Sequence, residues 1–150
     1  MVANSEFERG IDEFNRQQFY ACHDTLEAVW VDAAEADKRF YQGVLQVAVG
    51  CYHLSNDNHR GAVILLGEAV RRLCDYQPDY MGVNVEQLLA QAIALLQALQ
   101  QLKPDRARQF FELLRSKQSK TTTALQGEAN NSPELLSLLA NCQLPHIQRI

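Results

Sequence analysis

Apolar positions at helical spacing divide the chain into predicted helices from its first residues. Phe7, Ile11 and Phe14 fall on one stripe, and Ser5 with Glu8 three residues on reads as a capping box. A second helix is predicted over residues 20–33, with Phe19, Cys22, Leu26, Val29 and Ala33 inward and Asp24, Thr25 and Asp32 outward. The third runs from about Lys38 to Ser55, where "SNDN" breaks it. The fourth, over 58–76, places Val63, Leu66, Gly67, Val70, Leu73 and Cys74 on one face, with Arg71 and Arg72 beyond its edge. After the loop "DYQPDYMGV", Asn84 caps a fifth helix and Gln87 closes its box. Leu88, Leu89, Ala92, Leu95, Leu96 and Leu99 repeat along it, and Pro104 opens a shorter helix through "DRARQFFELLR". The expected fold is all-α, a compact antiparallel bundle of five to six helices with a C-terminal arm.

The character of the chain then changes. "SKQSKTTTALQGEANN" is poor in large apolar residues and reads as a mobile linker. Beyond it, Ser132 is placed to cap, Pro133 to occupy the first helical position, and Leu135, Leu136 and Leu139 to dock. The division expected is a helical bundle over 1–118 and, over 119–150, a linker with a short docking helix. That arm packs either on its own body or on a neighbouring copy, the second case making the chain a homo-oligomer. The third and fourth helices superficially resemble a tetratricopeptide unit, but no second copy follows at the required spacing.

The third helix carries the most information. No charged residue occurs from Phe40 to Asn56, which marks a helix surrounded by protein. Phe40, Val44, Val47 and Cys51 face one way, and Tyr41, Leu45, Ala48 and Tyr52 cover the adjacent arc. Gln42, Gln46 and His53 form a narrow polar stripe, beside which Gly43 and Gly50 permit close approach by another helix or a ligand. The short connection "DAAEAD" makes helices two and three antiparallel, so positions whose numbers sum to about 72 or 73 face each other. Trp30 is then expected beside Gln42, Glu27 beside Gln46, and His23 near Gly50, one turn from His53. These side chains define a polar seam.

Composition narrows the functional classes. The net charge is −4 over 150 residues, with the two signs mixed along the chain, which disfavours nucleic-acid and anionic-membrane binding. The basic run "KPDRARQFFELLRSKQSK" reads as a solvated helix face. The start "MVANSEFERG" lacks the apolar core of a secretory signal, and no stretch is apolar enough to span a membrane. Cys22, Cys51, Cys74 and Cys142 are scattered without a CxxC pair and read as small buried hydrophobes of a reducing cytoplasm.

"HDTLEAVW", "FYQGVLQVAVGCYHL", "NHRGAVILLGEAVRRL" and "YQPDYMGVNVEQLL", in this order and spacing, resemble the domain-of-unknown-function family numbered 309. The resemblance covers roughly residues 7–95. It implies an all-α bundle without an established activity, and by the family's pattern it singles out His23, Glu27, Trp30, Gln42, Gly43, Gln46 and His53. Asp24 stands where that pattern usually has Glu, and Asn84 where it usually has Asp.

Three kinds of chemistry fit the seam. In the first, His23, Glu27, Trp30, Gln42, Gln46 and His53 form a hydrogen-bonded seam of a binding or assembly module, whose partner is a protein or a small molecule. Gln46, His23 and Trp30 would then supply donors to a buried Glu27. In the alternative, His23 and Glu27 at i, i+4 join His53 in a divalent-metal site, as in a metal-binding protein or a metal-dependent hydrolase. The sequence lacks H-E-x-x-H and a second Glu-x-x-His pair, and no other cofactor is expected. In the third, Glu27 and His23 act as an acid–base pair, but neither a nucleophile nor an oxyanion donor accompanies them.

Overall fold

The computed structural model describes residues 2–118 and 132–150. Most of the expected linker, 119–131, lies outside the described residues. Seven α-helices occur among those described: α1 (Val2–Asn15), α2 (Phe19–Asp32), α3 (Glu35–Ser55), α4 (His59–Leu73), α5 (Val85–Gln101), α6 (Ala107–Gln118) and α7 (Pro133–Ala140). The all-α expectation holds. The loop between α4 and α5 adds a two-stranded antiparallel hairpin that periodicity did not predict, β1 (Asp79–Tyr80) and β2 (Val83–Asn84). Met81 and Gly82 both take positive φ there, the backbone a tight hairpin turn requires.

Local hydrogen bonds explain most helix ends. Both α1 and α3 stop at a left-handed residue, Gln17 and Asp57. In each case the next two amides fold back onto the last turn: Gln17 N to Phe14 O and Gln18 N to Glu13 O, Asp57 N to Leu54 O and Asn58 N to His53 O. Asn58 then caps α4 by accepting from Gly61 N, Asn84 caps α5 from Gln87 N, and Ser132 caps α7 from Leu135 N. Two N-terminal expectations are corrected. Helix α1 begins before Ser5, which therefore lies inside it and is not its cap. The box at Asn84 is only half closed, because the Asn84 amide donates to Gln148 O.

From α1 to α5 each helix packs on the next, most extensively α3 against α4, and α6 returns to α3. The core runs through them: Phe14, Phe40, Val44, Val47, Cys51, Leu66, Leu73, Leu95, Leu99, Phe110 and Leu114 are fully buried. Helix α4 is rotated from its predicted face. Ala62, Leu66, Ala69 and Leu73 point inward, Gly67 lies at the edge, and Cys74 is exposed. Thr25, expected outward, is 4 % exposed because α1 covers it and Arg9 Nη2 donates to its hydroxyl.

Residues 132–150 pack on the body of the same chain. Leu135, Leu139, Leu144 and Ile147 enter the core, whereas Leu136 stays exposed. Lys117 Nζ donates to the Leu139 and Cys142 carbonyls, and Asn15 bonds both the amide and the carbonyl of Ile147. Arg149 pairs with Glu8, donates to Met81 O and bridges β2. No helix of the described residues is long and apolar enough to cross a membrane.

Candidate functional site

An open cleft of about 260 Å³ lies along α2 and α3, and His23, Glu27, Trp30, Gln42 and Gln46 all line it. The short Ala33–Ala34 connection turns α3 back beside α2. His23, Glu27 and Trp30 of α2 thereby share the cleft with Gln42, Gln46 and Val49 of α3. Leu45, Val49 and Leu65 make the apolar part of the wall, the last reaching in from α4. Lys38 Nζ stands 5.8 Å from the Trp30 ring centre.

The interactions within this cleft differ from those expected. Glu27 is exposed over 54 % of its side chain, and its partner is His23 Nε2, 3.5 Å away on the next turn of α2. It needs no buried donors, and Gln46 does not bond it. Gln46 is the buried polar group, 6 % exposed. Its carboxamide turns toward α4, where its oxygen accepts from Arg72 Nη1 at 3.0 Å and its nitrogen donates to Glu68 Oε2 at 2.9 Å. Arg72 and Glu68 stand 3.7 Å apart one turn along α4, closing a three-membered network. The two donor–acceptor roles fix the orientation of the amide, since only one way round serves both neighbours.

Gly43 and Gly50 belong to the same α3–α4 contact. A Cβ on Gly43 would sit 2.8 Å from Leu73 Cγ, and one on Gly50 would sit 2.9 Å from Leu66 Cγ. The glycines thus admit another helix, and Gly50 faces Leu66 instead of His23.

His53 is outside the cleft. It sits at the α3–α4 corner, where its Nδ1 lies 3.3 Å from Asn58 Nδ2 and its ring beside that of Tyr52. A metal site combining His23, Glu27 and His53 is therefore not assembled. The chain brings Asp24 to His23 in its place: Asp24 Oδ1 is 3.3 Å from His23 Nδ1, and one donor atom each from His23, Asp24 and Glu27 lie within 4.8 Å of one another. These three donors share one helix, and among the described residues no second element completes the set. His59 is also occupied elsewhere, against the Leu99 carbonyl at 2.6 Å.

The cysteines offer no activated thiol among the buried positions. Burial pushes the Cys22 thiol up to about 12 and the Cys142 thiol up to about 11, and raises Cys51 further still. Cys74 is exposed, its thiol donating to the Arg71 carbonyl, which corrects its expected place in the core.

The residues missed from sequence are Glu68, which the pattern does not single out, and Arg72, which it sets beyond the edge of the fourth helix's apolar face. The signal that could have found them was angular. At about 100° per residue, Gln46 lies about 60° from Gly43 and about 40° from Gly50, so a helix admitted by the glycines must also meet Gln46.

Residues 7–65 match the model of a family described as Domain of unknown function (DUF309). The match bears out the resemblance carried by the motifs, though it ends at residue 65 and the motif reading extends to about 95. The chain is 34 % identical over 58 residues to the uncharacterized protein YpuF of Bacillus subtilis (strain 168), covering 38 % of this chain. It spans about a third of that relative's length, 33 %. No solved structure matches the chain. Every residue lining the α2–α3 cleft falls inside the matched span.

Proposed function

We propose, taking residues 7–65 as a domain of the DUF309 family, that the chain is a binding module whose α2–α3 cleft takes a small planar ligand with an amide-like edge. One observation carries this: the Gln42 carboxamide, without a hydrogen-bond partner among the described residues, lines an open cleft beside Gln46, whose own carboxamide is held by Arg72 and Glu68. Arg72 uses one acceptor position of the amide oxygen, and Glu68 uses one N–H. The lone pair and N–H that remain lie on opposite flanks of a group that cannot rotate, but the Gln42 carboxamide one turn away has no hydrogen-bond partner among the described residues and keeps an acceptor and a donor side by side. A ligand edge bearing an adjacent acceptor and donor complements that pair. Trp30 with Leu45 supplies apolar surface for a flat ring. A volume of about 260 Å³ limits the ligand to a small molecule or a single side chain of a partner.

Trp30 is the sole tryptophan, so its emission reports the cleft directly. Titration with a panel of planar amides, uracil and benzamide first, should give a saturable change in that emission. Gln42→Ala should weaken it. A linear, unsaturable response across the panel, or one that Gln42→Ala leaves unchanged, would refute the assignment.

A second reading has its own support, the three donors of His23, Asp24 and Glu27 gathered within 4.8 Å. A divalent ion there would be held by one imidazole and two carboxylates exposed on one helix. Zinc and manganese titrated against the melting temperature should then give a shift that His23→Ala removes and His53→Ala leaves intact. No shift with either ion would retire the metal site.

A further inference from the structure

A second cleft, of about 490 Å³, opens on another flank of α2, between α1, α2, α3 and the β-hairpin. Three carboxylates line it, Glu6, Asp32 and Asp37, and its remaining walls include Val29, Ala33, Met81 and Tyr41. No lysine or arginine is among the lining residues. Arg9 approaches only to pair with Glu6 at 3.6 Å along α1. Arg149 approaches only through the Met81 carbonyl while it pairs with Glu8, and Lys38 turns to Glu35 and the Trp30 ring.

The carboxylates are not equivalent. Tyr80 donates its hydroxyl to Asp37 Oδ1, which fixes that group in place. Asp32 has no ion-pair partner among the described residues.

Tyr41 supplies the independent observation. The residue is 4 % exposed, its ring packed edge-on against Phe7 and beside Phe40, yet its hydroxyl makes no hydrogen bond with any described residue. It lines this cleft. The ring is enclosed, but the hydroxyl oxygen is not sealed from solvent, so it stays open to a ligand in the cleft it lines. Burial and the nearby Asp37 charge hold its pKa above the usual value, so the group stays neutral and presents an acceptor oxygen.

Uncompensated negative charge, an unpartnered neutral acceptor and an apolar floor select one chemistry. We infer that this cleft binds a primary ammonium group carried on an aliphatic chain, as in an alkyl amine or diamine. The ammonium donates to Asp32, Asp37 and the Tyr41 oxygen, and the chain lies on Val29 and Ala33. An inorganic divalent ion matches less well, because its retained waters would face that apolar floor.

The probe is 1,4-diaminobutane, titrated at constant ionic strength into the full chain labelled with nitrogen-15. Saturable amide shifts confined to residues around Ala28, Val29, Ala34 and Tyr41 are expected, with no effect from 1-butanol at the same concentration. Asp32→Asn should weaken binding about fivefold, the worth of a partly exposed ion pair. That variant breaks no described contact, so it keeps the fold, and Tyr41→Phe should also weaken binding. Unsaturable shifts, shifts spread over the surface, or saturable shifts unchanged in Asp32→Asn would overturn the inference. Equal shifts at the same residues with magnesium would overturn it in favour of an inorganic cation. Because the readout does not involve the α2–α3 cleft, this test can fail while the proposal for that cleft stands.

Discussion

Helix α3 meets α2 and α4 with polar side chains in both contacts, and the two contacts are built in opposite ways. Toward α2 the polar groups line an open cleft, and His23 and Glu27 pair with each other on their own helix. Toward α4 two glycines let the helices close, and Gln46, Glu68 and Arg72 share a network across the contact. Polarity along a helix therefore does not indicate whether a face is open. What decides is whether the flanking side chains are small enough for another helix to cover it. Open polar groups keep their water and contribute little to stability, while covered ones must satisfy each other.

The largest expected effect comes from forcing the closed contact apart. Gly43→Ala and Gly50→Ala each drive a methyl into a leucine, at about 1–3 kcal/mol, only partly offset by about 0.5–1 kcal/mol of gained helix propensity. Urea unfolding should show both destabilised, and a neutral result at both would mean that α3 and α4 are further apart than described. Next in size, Gln46→Ala leaves Arg72 and Glu68 with only each other and water and should cost about 1 kcal/mol. Glu27→Ala on the open side should stay within about 0.5 kcal/mol, since exposed pairs are worth little. If the two alanine variants cost the same, the contrast between the contacts is wrong.

His53→Ala should cost about 0.5 kcal/mol and leave the Trp30 ligand response untouched, because His53 sits at the corner beyond both contacts. The mildest probe is chemical. A thiol reagent near pH 8 should modify Cys74 first, with Cys22, Cys51 and Cys142 following only after unfolding. Early labelling of Cys51 would mean that α3 is not enclosed.

Much of this was legible in the residues. The uncharged stretch from Phe40 to Asn56 does mark an enclosed helix, with Phe40, Val44, Val47 and Cys51 fully buried. The sum rule for α2 and α3 brings Trp30, Glu27 and His23 to a cleft shared with Gln42 and Gln46, because a two-residue connection leaves little freedom of register. The same pattern failed where a third element intervened. Thr25 looked solvent-facing until α1 covered it, and Arg72 looked like an edge until α4 rotated inward. Glu27 looked buried, but nothing covers it.

By itself the amino-acid sequence determined the helices, their caps at Asn84 and Ser132, and the antiparallel pairing of α2 with α3. Those features rest on interactions within three or four residues, or on a connection too short to allow another arrangement. Only the tertiary structure decided that Gln46 is sealed while Glu27 is open, that His53 leaves the cleft, and that residues 132–150 complete their own body. Burial depends on which distant segment arrives to cover a face. That is set by the fit of side chains across the whole core, which no local pattern records.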